Sequence, residues 1–387
     1  MKFLHVGDTH IGRVYKDEQR NADVRAAFVQ VVDYAIKENV DMVVHSGDLF
    51  NEGIPALSDL LFVTDQLKRL KDSGIRIFIV PGSHDVGMGE SDSIIELFDR
   101  NGLLTNLNST RYIEEQDGKV ILSGELYRNV FLTGVRGKRS RVEDEIFKRL
   151  SIVRPDGAWV YVFVFHHTIS DLGLQFKDLD TSSLPLGFDY YAAGHWHGNK
   201  DNIPYGKGVI QYPGSLEYCD ESEIVSNPNR GFYVVNYDAN GINAIERVII
   251  KTRGKDVVSI DASKKSAKDI YDEVGSKLSR NDGKLLVVKL EGEMENRGEL
   301  NSESIKDKAR TLGYSYVSVN VSKLFDVRQK KVEIKSKDLD SVENELLEGK
   351  GYNSNEIAIA KFMISCAQEK MGVDEMRKGI EKIYGQL

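Results

Sequence analysis

Val40-Asp-Met-Val-Val-His-Ser-Gly-Asp-Leu-Phe50 decides how the first hundred residues are read. Residues 42–44 form an apolar run bounded by polar and turn-forming residues, the pattern of a strand buried on both faces. Upstream, residues 24–36 place Ala27, Val31, Val32, Ala35 and Ile36 at helical spacing, and residues 2–6 read as a strand. Downstream, Leu57, Leu60, Leu61, Leu67 and Leu70 mark a second helix, and residues 75–80 a third strand closed by Pro81-Gly82. Strand, helix, strand, helix, strand predicts βαβ units and a parallel stretch of sheet. Ligands of such sheets gather at the carboxyl ends of the strands. Asp8, Asp48 and His84 all fall there.

Strands dominate from Gly118 to about Asp238, which predicts a second sheet packed on the first. A boundary is expected near residues 252–256. Beyond it come a helix at about 264–279, a strand at 285–290, a helix at about 302–312 and a strand at 315–321, a small α/β domain at 256–325. Residues 326–355 are charged and contain Gly, Ser and Asn, so they read as a linker. The segment 356–387 offers two amphipathic helices. Ile359, Phe362, Met363 and Cys366 share one face, and Val373, Met376, Ile380, Ile383, Tyr384 and Leu387 the other.

All eight histidines lie in the first 197 residues. Five short elements hold most of them: Gly7-Asp8-Thr-His10, Ser46-Gly47-Asp48, Gly82-Ser83-His84-Asp85, His166-His167 after the apolar residues 160–165, and Gly194-His195-Trp-His197. Each follows a strand and begins with or contains a potential ligand, and the glycines permit tight turns. Imidazole and carboxylate together suit a pair of divalent ions of the Mn, Fe or Zn kind better than Mg or Ca.

The chain has 387 residues, 41% hydrophobic and 29% charged, which suits a globular protein of two or three domains. Its 7 prolines argue against Pro-rich linkers. The longest apolar run, residues 158–165, is far short of the roughly 20 needed to span a bilayer. No signal-peptide pattern follows Met1, so a cytoplasmic protein with no membrane partner is expected. Cys219 and Cys366 are too few for a disulfide framework and read as ordinary buried small residues. The net charge of −8 does not favour a polyanion partner, but local patches matter more than totals. Two basic patches occur: Arg136, Lys138, Arg139 and Arg141, and a later run through Arg328, Lys330, Lys331, Lys335 and Lys337. No P-loop is present, so ATP hydrolysis by this chain is not expected.

The ordered set Asp-x-His, Gly-Asp, Gly-Ser-His-Asp, His and Gly-His-x-His resembles the calcineurin-like metallophosphoesterase pattern. The stretches His5-Val-Gly-Asp-Thr-His-Ile-Gly12, Arg25-Ala-Ala-Phe28, residues 40–50 and Gly187-Phe-Asp-Tyr-Tyr-Ala-Ala-Gly-His-Trp-His197 narrow this to the double-strand-break repair nuclease family. The resemblance covers about residues 1–240. It implies an α/β (α+β) fold: a two-sheet sandwich flanked by helices, a nuclease domain at 1–252, a DNA-binding capping domain at 256–325, a linker at 326–355 and a helical partner-binding segment at 356–387. It further implies that Asp8, His10, Asp48 and His197 hold one metal, and that Asp48, His195 and His166 hold the other. His167, His5 and His45 are left structural.

Ser83 stands where the family has a ligand Asn, and its shorter reach implies a weaker second ion. Asn51 stands where many relatives have a phosphate-contacting His. His84 would be the catalytic histidine, assisting the 3′ oxygen leaving group. Arg136, Lys138, Arg139 and Arg141 would follow the phosphate backbone of DNA ends or single strands. The implied cofactors are two divalent ions, Mn²⁺ first among them. The implied partners are an SMC-like coiled-coil ATPase, docked on the C-terminal helices, and a second copy of the chain; the implied location is nucleoid-associated. Two other readings share the motifs. One is a phosphomonoesterase or cyclic-nucleotide phosphodiesterase of the same superfamily, the other a DNA-end scaffold with a weakened site.

Overall fold

The computed structural model describes residues 1–13, 18–87, 92–137, 142–174, 178–226, 229–294, 296–327, 339–349 and 352–369, with Arg377 and Ile380. The chain forms two compact units. One comprises Met1–Val258, Ser279–Val287 and Lys306–Ser318, the other Ser259–Leu278, Val288–Ile305 and Val319–Leu387.

In the first unit, six strands pair in the order Gly241–Ile249, Gly231–Asp238, Lys2–Val6, Met42–His45, Arg76–Ile79 and Thr105–Asn106. A second six-stranded sheet runs Lys200–Tyr205, Gly208–Tyr212, Tyr190–Ala193, Val160–Phe165, Val130–Val135 and Glu125–Tyr127. Side chains alternate across each strand, and the alternation decides the layers. Phe3, Met42, Val44 and Phe78 point into a core shared with Leu132, Val162, Val164, Tyr190 and Ala192 of the second sheet. Their neighbours Leu4, Val43, Ile77 and Ile79 face the opposite way, against Val24, Phe28 and Val31 of the helix Glu18–Lys37 and Val63 and Leu67 of the helix Leu57–Asp72. On the outer face of the second sheet, Phe131, Phe163, Phe165 and Tyr191 build a third cluster. Burying each such side chain contributes about 1.5–3 kcal/mol, so the three clusters hold the sandwich closed.

Register then positions the loops. Val6 pairs with His45 and His45 with Ile79, all parallel, so the chain leaves these three strands at one edge. Phe165 pairs in parallel with both Ala193 and Val135, which puts His166 and Gly194 side by side.

Two features depart from the sequence reading. Within the strand-rich stretch lies a separate three-stranded sheet of Ile113–Gln116, Lys119–Leu122 and Leu150–Ile152, preceded at its last strand by the helix Val142–Arg149. The stretch expected to be a linker contains the helix Leu339–Gly349. There Leu339, Val342, Leu346 and Leu347 recur at helical spacing, a local signal that the surrounding charge obscured.

Toward the C-terminus, Lys255–Asp261, Leu285–Met294 and Tyr316–Asp326 form a three-stranded sheet, with helices Ala267–Lys277 and Ser302–Thr311 between them in sequence. Ser266 and Asp269 start the first helix with a reciprocal capping box. In the helix Ser354–Glu369, Ile357 and Cys366 are buried but Met363 is exposed, so the expected apolar face is only partly covered. Of the second expected amphipathic helix, Val373, Met376, Ile383, Tyr384 and Leu387 lie outside the described residues, as do the basic residues 328–337. No helix among the described residues is long and apolar enough to cross a membrane.

Candidate metal centre

Asp48 lies at the middle of the site. Its Oδ2 is 3.1 Å from Nε2 of His166 and 3.6 Å from Nε2 of His10. Potential ligand atoms of Asp48, His166 and His195 lie within 4.8 Å of one another, and so do those of His10, Asp48 and His84. Asp48 thus belongs to two separate donor clusters. On the far side of His10, the Nε2 atoms of His10 and His197 face each other at 3.0 Å, with Oδ1 of Asp8 3.9 Å from Nε2 of His197. The Oγ of Ser83 is 3.5 Å from Oδ2 of Asp48, reaching the same carboxylate from its own loop.

Backbone strain concentrates on these residues. Asp8, His10, Asp48 and His195 all adopt positive φ, at 51°, 51°, 55° and 81°. Such conformations cost about 1–3 kcal/mol each in non-glycine residues and persist where the surroundings fix them. The glycines act mainly by yielding space. A Cβ on Gly47, itself at φ 101°, would come within 2.5 Å of Nδ1 of His166. One on Gly82 would overlap the Asp48 carboxylate. Asp85 is buried and accepts the N–H groups of Leu49, Phe50 and Gly82 at 3.2, 2.9 and 2.8 Å, tying the Asp48 loop to the His84 loop. Desolvation, with Asp48 nearby, pushes its carboxyl up to about 6.

The imidazoles are set by their second nitrogens. Nδ1 of His166 donates to the carbonyl of Ser46 at 2.8 Å, which leaves Nε2 facing Asp48. Nδ1 of His197 meets Oε1 of Glu223 at 2.7 Å, and Glu223 is held in turn by Arg230. Burial alone would raise the Glu223 carboxyl; the His197 bond and Arg230 outweigh it and hold it at about 2. Desolvation lowers His195 to about 4 and drives His10 well below its ordinary value, so both are neutral donors. Burial opposes charge on His166 too, yet Asp48 wins and raises it to about 9. Burial likewise disfavours charge on Asp48, but His166 and then His10 and His84 keep its carboxyl well below the usual range.

This donor set fits a pair of divalent ions. One carboxylate is shared, the neutral imidazoles of His10 and His195 lie close to it, Nε2 of His166 faces it at 3.1 Å, and Nδ1 of His10 is buried with no hydrogen-bond partner among the described residues. Without metal, a proton on His166 supplies the missing positive charge. Its folded pKa of about 9 exceeds the ordinary 6.5, so its stabilisation is fully present below pH 6.5 and lost as pH rises through about 9. The melting temperature in EDTA should therefore fall between pH 6.5 and 9 and recover with Mn²⁺. A flat or rising EDTA profile would show that the proton does not play this part. Glu223→Gln keeps the shape but weakens the acceptor for His197, and should cost about 10–100-fold in metal affinity. Calorimetric titration reads this directly, and unchanged affinity would remove Glu223 from the centre.

His84 is exposed at the mouth of the site. Its Nδ1 donates to the carbonyl of Asn51 at 2.7 Å and its backbone N–H to Oδ1 of Asp48 at 2.8 Å. A cleft of about 720 Å³ opens there, lined by Arg13, Asp48, His84, His195, Trp196 and His197 among others. Two of its lining residues, Arg13 and Glu223, were not foreseen from sequence, nor was Arg230, which holds Glu223. The Asn51 side chain accepts from Arg13 at 3.1 Å, while its carbonyl fixes His84. Arg136, expected to flank the cleft, lines a different cavity of about 210 Å³ with Pro81, Ser93 and Glu96. Lys138, Arg139 and Arg141 lie outside the described residues.

The remaining histidines serve the fold. His5 bonds to Tyr190 and Ser46, and His45 to Thr9. His167 packs edge-on against Phe147. Cys219, read from sequence as an ordinary buried residue, is buried but sits beside His10 and His197.

Residues 1–199 match the family model described as calcineurin-like phosphoesterase. Over 98% of its length the chain is 25% identical to the DNA double-strand break repair protein Mre11 of Sulfolobus acidocaldarius, 98% of which is covered. It is 29% identical over 76% of each chain to the protein of that name from Saccharolobus solfataricus, and 26% over 80% of each to that from Methanocaldococcus jannaschii.

Proposed function

Because the chain belongs to the calcineurin-like phosphoesterase family, we propose that its metal centre hydrolyses DNA phosphodiesters at double-strand breaks, using two Mn²⁺ ions. It is a metal-dependent nuclease of break repair. The observation that carries the reading is the position of Asp48, one carboxylate shared between a His10 cluster and a His166–His195 cluster. Asp8, His10, Asp48 and His197 would hold one ion, and Asp48, His166, His195 and Ser83 the other. Bound there, the ions would withdraw charge from the phosphate and make water a better nucleophile.

The chain's own groups supply the rest. With Nδ1–H fixed on the Asn51 carbonyl, His84 turns Nε2 toward the cleft, where it can carry a proton to the departing 3′ oxygen. Arg13 brings positive charge to the cleft, and Lys138, Arg139 and Arg141 would contact the phosphate backbone of the DNA. Residues 256–325 act as the capping domain that holds DNA. The segment 356–387, beyond the linker 326–355, docks on an SMC-like coiled-coil ATPase through apolar side chains such as Met363. Two copies pair through helices of the nuclease domain, a role that exposed Ile54, Leu57 and Leu61 suit.

Cleavage of end-labelled double- and single-stranded DNA with Mn²⁺, Mg²⁺ or EDTA tests the reading. Mn²⁺-dependent cutting is expected, and Ser83→Asn should raise it at limiting metal, since an amide reaches farther toward the ion than a hydroxyl. Intact DNA alongside hydrolysis of small phosphoesters would make the protein a phosphatase instead.

A further inference from the structure

The Sγ of Cys219 and a ring nitrogen of each of His10 and His197 lie within 4.8 Å of one another. Cys219 is 1% exposed, and its sulfur makes a long contact, 3.5 Å, to the carbonyl of Glu217 and interacts with the His197 side chain. Its backbone is pinned to the metal centre. Oε2 of Glu223 accepts the Cys219 N–H at 2.8 Å while Oε1 of the same carboxylate meets His197 at 2.7 Å. Arg230 bonds that carboxylate and donates to the carbonyl of His197 at 2.7 Å. A single network therefore fixes both the imidazole and the backbone that carries the thiol. Beside them, Nδ1 of His10 is buried without a hydrogen-bond partner among the described residues, and the two Nε2 atoms converge at 3.0 Å.

We infer that Cys219 is a sulfur ligand for the ion held by His10 and His197, which makes this one position selective for borderline-soft ions. The inference rests on the two-metal reading above. Thiolate prefers Zn²⁺ and Co²⁺ to Mn²⁺ and Mg²⁺, whereas the Asp48–His166–His195 cluster has no sulfur. On loading, the thiol releases its proton to solvent as the sulfur–metal bond forms. The two positions then differ in preference, and a mixed pair is favoured over two identical ions when Zn²⁺ and Mn²⁺ are both present.

Absorption of the full chain titrated with Co²⁺ tests this without reference to activity. A near-ultraviolet sulfur-to-cobalt charge-transfer band is expected alongside the visible cobalt bands, retained in Cys366→Ser and lost in Cys219→Ser. With only two cysteines in the chain, retention in Cys366→Ser assigns the band to Cys219 even if the Cys219 variant fails to fold. Visible cobalt bands with no sulfur band would overturn the Cys219 assignment and leave the two-metal reading standing. A sulfur band lost in Cys366→Ser, or kept in Cys219→Ser, would overturn it as well. Absence of all cobalt bands would remove the metal centre itself, and this inference with it.

Discussion

Asp48→Ala should abolish Mn²⁺-dependent DNA cleavage, lowering it by about 10³-fold or more. The estimate follows from the several kcal/mol that metal ions contribute to phosphoryl transfer, at about 1.4 kcal/mol per tenfold in rate. Asp48 stands between the His10 and His166 clusters, so its loss should empty both positions rather than one. The truncation also strips His166 of its buried partner, and an unpaired buried charge costs about 3–5 kcal/mol. Asp48→Asn separates the two effects, because the amide oxygen can still accept the His84 N–H while the anionic charge is gone. Metal content by mass spectrometry, read beside cleavage of end-labelled DNA, decides the matter. A variant that keeps two ions and cuts normally would show that the clusters do not share a bridging carboxylate.

His84→Ala should behave differently, losing about 10²–10⁴-fold in turnover, the usual worth of a positioned proton donor, while both ions remain. The reason is geometric. Its Nδ1 is committed to the Asn51 carbonyl and its ring stands 4.9 Å from that of His10, at the mouth of the cleft. Yet His84 also lies close enough to His10 and Asp48 to share an ion with them. Metal content therefore discriminates. Loss of one equivalent in His84→Ala would make this residue a ligand and leave the leaving oxygen without an identified donor.

The two roles were legible in sequence to different depths. Each ligand loop is a local pattern, an apolar strand followed by a glycine turn and a polar donor, and local patterns survive in a single sequence. The preference for His166 over His167 also follows from strand alternation once Phe165 is known to face away from the shared core. Glu223, Arg230 and Cys219 gave no such signal. They reach the centre from the segment around the short helix Glu221–Ser226, and no spacing relates them to His197 before the chain has folded. Arg136 is a different case. A basic run near a strand end read as part of the cleft, and the structure places the Arg136 side chain in the lining of another cavity.

The positive φ angles of Asp8, His10, Asp48 and His195 bear on how such a chain can change over generations. Glycine or asparagine at any of the four would relax the backbone and remove a carboxyl or imidazole that is buried at Asp8, His10 and Asp48 and partly buried at His195. Selection for endurance to heat alone should therefore drive this protein toward replacing these four residues, and, on the roles proposed for them, variants so obtained would be sturdier and inert. On the proposed roles, cleavage would be what keeps these four residues in place, and a lineage released from that demand would lose them early, well before its sandwich core began to drift.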